Sequence, residues 1–310
     1  MSSIRRLSSL ALAATLALVT IGGFTRGSKS GYGCQDRWPL CENGLLGGLL
    51  PRPEFHMIVE WTHRWVAAMV GLLALAVAVA AWRRHRNEPK ILIPSTLTVA
   101  VIGIQAWVGR MVVKGELASD LVSMHLAISM AILALLTVVV TSASDRSGVA
   151  SPAEQSKNRS WAHMVAAGAI AVLAVLLFGS LVHNLYFSGW PFVGNRLLPN
   201  LDNPKLAIHF THRVLAGGVF LYLGFLSLRS TKQNRPIIEA RLVNGATAVY
   251  VLNIAIGAGH VVTKVSSSAL VAAHLAAASL SWVLLIAAAT MAYSVSPLTQ
   301  TDEVTVDAAV

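Results

Sequence analysis

Two short patterns occur twice in this 310-residue chain, and both centre on histidine. Glu60-Trp61-Thr62-His63-Arg64 is answered by His209-Phe210-Thr211-His212-Arg213, and Met124-His125-Leu126-Ala127 by Ala273-His274-Leu275-Ala276. Both matches are offset by 149 residues, so the two histidines of each half stand 62 residues apart. A shared Thr-His-Arg, a shared His-Leu-Ala and equal spacings mark a tandem duplication. A single imidazole in an apolar segment often does no more than hydrogen-bond to a neighbour. Four in a duplicated pattern point to ligation of iron, because ionisable groups are costly in apolar surroundings unless they serve a function. Two per half would hold one porphyrin iron from opposite faces, with the flat apolar macrocycle in a helical core.

One residue breaks the symmetry. Glu60 precedes His63 by three positions, which puts both on one helix face, whereas the second half has His209 there. A carboxylate beside a heme transfers protons or stabilises a cationic intermediate; alternatively it pairs with Arg64 or another nearby base. Arg64 and Arg213 directly follow the ligand candidates and suit either heme propionates or the membrane interface. His56, His163 and His183 fall at span ends and His85 in a basic loop, none with a repeat partner, so they are expected to be interfacial or solvated. His260, whose first-half equivalent is Arg110 or Met111, competes as a ligand. Glycines repeat more loosely, Gly22-Gly23 against Gly179 and Gly109 against Gly259. Trp38, Trp61 and Trp190 read as an aromatic belt. The two cysteines, Cys34 and Cys41, share one hydrophilic loop. They are too few for a four-thiolate metal site and fit one small disulfide if the loop faces an oxidising compartment.

The elements that position these residues are membrane helices. The chain is 55% hydrophobic with a mean hydropathy of +0.63 and only 12% charged, where a soluble domain carries about a quarter. Apolar runs of this length must be helical in lipid, which excludes soluble and disordered readings. Eight spans are predicted: Leu7–Phe24, His56–Ala81, Ile91–Val113, Leu121–Val140, Trp161–Val182, Leu206–Leu228, Ile237–Val262 and Ala269–Met291. The first is read as a retained span although Arg5 and Arg6 precede it as in a secretory signal. The net charge of +10 sits in short loops between spans, which reflects topology control and argues against nucleic acid as a partner. With the N-terminus inside, 13 Lys and Arg fall in inner segments and 8 in outer loops, so both termini are expected in the cytoplasm.

The expected fold is an all-α polytopic membrane protein, with eight transmembrane helices as two tandem, parallel-related four-helix bundles. The divisions are residues 1–145, a cytoplasmic linker at 146–160, residues 161–293, and a disordered cytoplasmic tail at 294–310. Spans two, four, six and eight then all run inward. Their histidines share one depth, on the order of 10 Å below the outer end of each helix.

Taken together, Gly22-Gly23-Phe24-Thr25-Arg26, the loop Cys34-Gln35-Asp36-Arg37-Trp38-Pro39-Leu40-Cys41, Glu60-Trp61-Thr62-His63-Arg64 and the repeated histidines resemble heme A synthase over all eight spans. That resemblance implies oxidation of the C8 methyl of heme O to a formyl group through successive hydroxylations, making heme A for cytochrome oxidase. By the same likeness His212 and His274 match the pair that holds a permanent heme b, and His63 and His125 the pair at the substrate site for heme O or heme A. Glu60 matches the family's important acid, and Cys34 and Cys41 its disulfide-forming pair. The sequence departs from the pattern at His209, an extra imidazole near the second site. It also departs at Gly179-Ser180-Leu181-Val182-His183-Asn184, a loose copy of the first-half motif followed by a loop without cysteines.

The implied partners are the lipid bilayer and heme O, delivered by the heme O synthase (protoheme farnesyltransferase). An electron-transfer partner goes unidentified, and self-association into a homo-oligomer is allowed. Two axial histidines leave no open position for oxygen, so one dissociates or the oxidation proceeds without oxygen activation at that iron. The main alternative is a di-heme b-type cytochrome that only passes electrons to or from quinone. Such a conduit needs neither Glu60 nor the cysteine loop. A repeat-built transporter ranks last, because the histidines sit near one surface rather than at mid-membrane.

Overall fold

A computed structural model describes residues 3–144, 149–150, 152–182, 188–190, 193, 198–293 and 296–297. Eight helices carry the chain: α1 Ser3–Gly27, α2 Phe55–Arg84, α3 Pro89–Lys114, α4 Ser119–Ser142, α5 Pro152–Val182, α6 Pro204–Lys232, α7 Ile237–Val262 and α8 Ser268–Tyr293. Each is long and apolar enough to cross a membrane, and each contains one of the predicted spans. At 24 to 31 residues they run about 36–46 Å, more than the ~30 Å hydrocarbon core demands. The excess is polar end turns that a hydropathy reading leaves out.

α5 shows this most clearly. It begins at Pro152, nine residues before the apolar run that starts at Trp161, so much of the expected linker is helix. Proline suits the first turn of a helix, and Glu154 in that turn complements the helix dipole. The polar turns are tied down by Arg235, whose Nη1 donates to Asn158 Oδ1 at 2.7 Å and whose guanidinium lies 5.5 Å from the Trp161 ring. Arg235 in turn forms a 2.7 Å ion pair with Glu239. Within the linker, Val149–Ala150 pairs in parallel with Ser296–Pro297 of the tail. The tail expected to be disordered otherwise lies outside the described residues, as does His183.

Several hydroxyls inside the spans are satisfied within their own helix, which suits lipid. Ser8, Thr15, Ser95, Thr98 and Thr137 are buried, and each donates to the carbonyl four residues earlier at 2.7–2.9 Å. Among the first four helices, α1 touches α2 and α4, and α3 touches both α2 and α4; among the last four, α5 touches α6 and α8, and α7 touches α6 and α8. The two sets meet along a seam where α8 packs on α1 and α4, and α4 on α5. α8 fits there because its buried positions are mostly small, including Ala272, Ala277, Ser279, Ser281 and Ala288, which lets helix backbones approach closely. Trp282 fixes the seam by donating from Nε1 to the Met130 carbonyl at 3.1 Å.

Candidate functional site

The four repeated histidines occupy matching places. His63 and His212 are the ninth residues of α2 and α6; His125 and His274 are the seventh residues of α4 and α8. Each ring also meets a glycine on the preceding helix. A Cβ built on Gly22, Gly109, Gly179 or Gly257 would stand 3.2 Å from Cε1 of His63, His125, His212 or His274 respectively. That is closer than ordinary van der Waals contact, so the missing side chain is what lets each ring lie against its neighbour's backbone. The four rings are half-buried with Nδ1 enclosed. At His274, Nδ1 is 3.1 Å from the carbonyl of Asn253, four residues before Gly257, and an N–H there donates to it. In His63 and His125 the enclosed Nδ1 has no protein hydrogen-bond partner, and the His212 ring faces the backbone of Val175, four residues before Gly179. The edge left open in every ring carries Nε2, the nitrogen suited to ligate iron when Nδ1 faces the backbone.

The glycines correct one detail of the repeat. Gly109 corresponds to Gly257 rather than Gly259, where an added Cβ would meet only Leu270 at 3.5 Å. The turn before α8 is one residue longer than that before α4, so α3 and α7 align at an offset of 148 and His260 falls opposite Val112. The same offset pairs Gln105 with Asn253, two amides that sequence reading passed over. Gln105 Nε2 donates to the His125 carbonyl at 3.0 Å and to Ser129 Oγ at 2.7 Å, fixing the helix turn that carries the imidazole. An amide four residues before each glycine was the available signal.

In the last four helices the rings open onto a cavity of about 530 Å³, lined among others by His209, His212, His260, His274, Arg26 and Arg213. That volume lies within the ~300–1,000 Å³ usual for cofactor and ligand sites. Most of the wall is aliphatic or aromatic, from residues such as Leu126, Val172, Phe220 and Leu275. His260 lies edge-on to His274 with ring centres 5.4 Å apart, so the competing ligand shares the cavity. His274 is within electrostatic range of His212, and His63 of His125. Arg213 donates from Nη1 to the Gly189 carbonyl at 2.7 Å, and Trp190, expected in the aromatic belt, also lines the cavity. An apolar chamber with open imidazole edges and cationic heads fits a heme.

The first four helices surround their histidines differently. Glu60 is buried, at 3% exposure, and its Oε2 accepts the Cys34 N–H at 2.7 Å. Oε1 pairs with Arg64. Arg64 Nη1 in turn donates to the carbonyls of Arg37, Pro39 and Leu40 at 2.9, 3.1 and 3.3 Å. Cys34 and Cys41 are joined by a disulfide and are buried with Met57. Glu60 and Arg64 thus clamp the disulfide loop onto α2, and Arg64 is committed there while its counterpart Arg213 lines a cavity. The loop can approach because Gly33 has no side chain: a Cβ there would fall 2.1 Å from the His56 carbonyl oxygen.

The remaining histidines are held by local partners. His56 bonds to Ser30 at 2.9 Å, His85 to Glu88 at 2.7 Å, and the His163 ring lies 6.4 Å from that of Tyr293.

Known proteins resemble this arrangement in sequence. Heme A synthase of Shouchella clausii is 26% identical over 247 residues, covering 76% of this chain and 79% of that one. Heme A synthase of Halalkalibacterium halodurans is 29% identical, covering 67% and 69%. Heme A synthase of Lysinibacillus sphaericus is 27% identical over 280 residues, covering 84% and 87%. Residues 50–298, which include all four repeated histidines and Glu60, match the model of the COX15-CtaA family, described as a cytochrome oxidase assembly protein. The chain belongs to the COX15-CtaA family.

Proposed function

We propose that this chain is a membrane enzyme of heme A biosynthesis that oxidises the C8 methyl of heme O to a formyl group. The observation that carries this is an asymmetry around equivalent imidazoles: one pair has a buried carboxylate and a disulfide loop beside it, and among the described residues the other pair has neither. His63 and His125 hold the substrate heme, and His212 and His274 hold a heme b. A heme b held there would supply one-electron transfer to and from the first site. Both termini lie in the cytoplasm, which puts the two sites near the outer face.

With water as the source of the formyl oxygen, the change from CH3 and H2O to CHO releases four protons and four electrons; the electrons pass to an acceptor outside the chain, and the protons must also leave a dry site. Glu60, one turn from His63, is the side chain placed to carry protons away, and its clamp to Cys34 and Arg64 fixes where the carboxylate sits. The glycine contacts hold each imidazole in one orientation, with Nε2 directed away from the preceding helix. Heme O reaches the first site from the heme O synthase through the bilayer.

Pigment extracted from the full-length protein, made in cells supplied with heme O, tests the reading. A formyl-bearing heme beside heme b is expected. Heme b alone in both sites would replace this reading with a di-heme cytochrome that only passes electrons.

A further inference from the structure

The cavity among the last four helices receives a charge from the other half of the chain. Arg26 stands in the last turn of α1, yet it lines this cavity and donates from Nη2 to the Ser180 carbonyl at 2.9 Å. Ser180 follows Gly179, the residue on which His212 packs, so the Arg26 head sits beside the candidate ligand's own support. Arg213 comes to the same cavity from α6, one residue after His212. Two guanidiniums therefore border one largely apolar chamber, and among the described residues lining it there is no Asp or Glu.

Cations beside an apolar enclosure are costly unless an anion joins them there. A guanidinium matches a carboxylate through paired N–H donors, so two of them on one rim suit a ligand with two carboxylates and an apolar body. We propose that Arg26 and Arg213 form a clamp for the two propionates of the heme in this cavity, so that the second site is complete only when α1 of the first half is docked against it. This rests on the reading of the cavity as a heme site. It adds a residue from outside the repeat logic, since Arg26 belongs by position to the first half. It also explains why α1 lies on α8 along the seam: the helix that supplies Gly22 to His63 delivers a charge to the opposite site.

The test uses the full-length chain, purified in detergent from heme-starved cells, with His63 and His125 replaced by alanine so that a single site titrates. Hemin and hemin dimethyl ester are titrated separately and followed by absorbance. Hemin is expected to bind at least about tenfold tighter than the ester, since a hydrogen bond to a charged group contributes about 1.5–3 kcal/mol. Arg26→Gln, which keeps a donor for the Ser180 carbonyl, should lose most of that preference, while Arg26→Lys keeps part of it. Equal affinity for acid and ester in the unsubstituted cavity would overturn the clamp without any arginine variant, and an undiminished preference in Arg26→Gln would remove Arg26 from it. Absence of hemin binding altogether would instead overturn the heme reading on which the clamp rests.

Discussion

The two histidine pairs sit alike and are furnished differently. On both sides a ring packs on a glycine, Nδ1 is enclosed and Nε2 is left open. Around His63 the charged side chains turn on one another: Glu60, Arg64 and the Cys34–Cys41 loop form a closed clamp. Around His212 and His274 the charged side chains border a cavity instead. The shared glycine contacts set where an imidazole can stand, and the residue three positions before the α2 or α6 histidine, Glu60 or His209, decides what chemistry stands beside it. The two cradles are equivalent, and on the function proposed above a few substitutions separate a reacting site from a relay.

The largest break in that comparison should come from Glu60→Ala. Conversion of heme O in cells should fall by roughly 10²–10⁴-fold, the usual worth of a positioned acid or base, while b-type absorbance persists. Wild-type conversion in that variant would remove Glu60 from the proton path. Cys34→Ser with Cys41→Ser should come next, because it frees the loop that fixes the Glu60 carboxylate. Opening a loop this short costs about 2–3 kcal/mol by chain entropy, read as a lower thermal midpoint. The b-type spectrum should not change, and a loss of heme b would show that the loop supports both halves.

Smaller effects separate the cradles themselves. Gly22→Ala and Gly257→Ala each press a methyl toward an imidazole, at about 1–3 kcal/mol of overpacking. Gly22→Ala should slow conversion with heme b intact, and Gly257→Ala should shift the heme b spectrum. Identical phenotypes would deny that the sites are distinct. Least of all should follow from Lys114→Ala, which removes a 3.3 Å pair with Asp36 between exposed side chains. Conversion and thermal midpoint should stay as they are.

Much of this was readable from sequence, for identifiable reasons. Lipid leaves an apolar run one backbone solution, so every predicted span falls inside a helix. The histidines were found because an imidazole in such a run is rare and a fixed offset repeats it. The start of α5 escaped because its first turns are polar and held by Arg235 from a distant loop. Gly257 was mistaken for its neighbour because one added residue before α8 shifts the register, which only the contact with His274 reveals. Arg26 could not be assigned at all, since a repeat confines each residue to its own half and its partner, Ser180, lies 154 positions away. For Glu60, sequence left proton carrier and ion-pair partner both open; the structure pairs it with Arg64 one turn on in α2, and the cysteine loop adds the Cys34 N–H.

The claim at the centre is that the two imidazole pairs hold two different hemes. Heme type and amount, measured by pigment extraction from wild type and from two double variants, address it directly. His63→Ala with His125→Ala should leave heme b alone, and His212→Ala with His274→Ala should remove heme b. Retention of both pigments by either double variant would contradict the assignment.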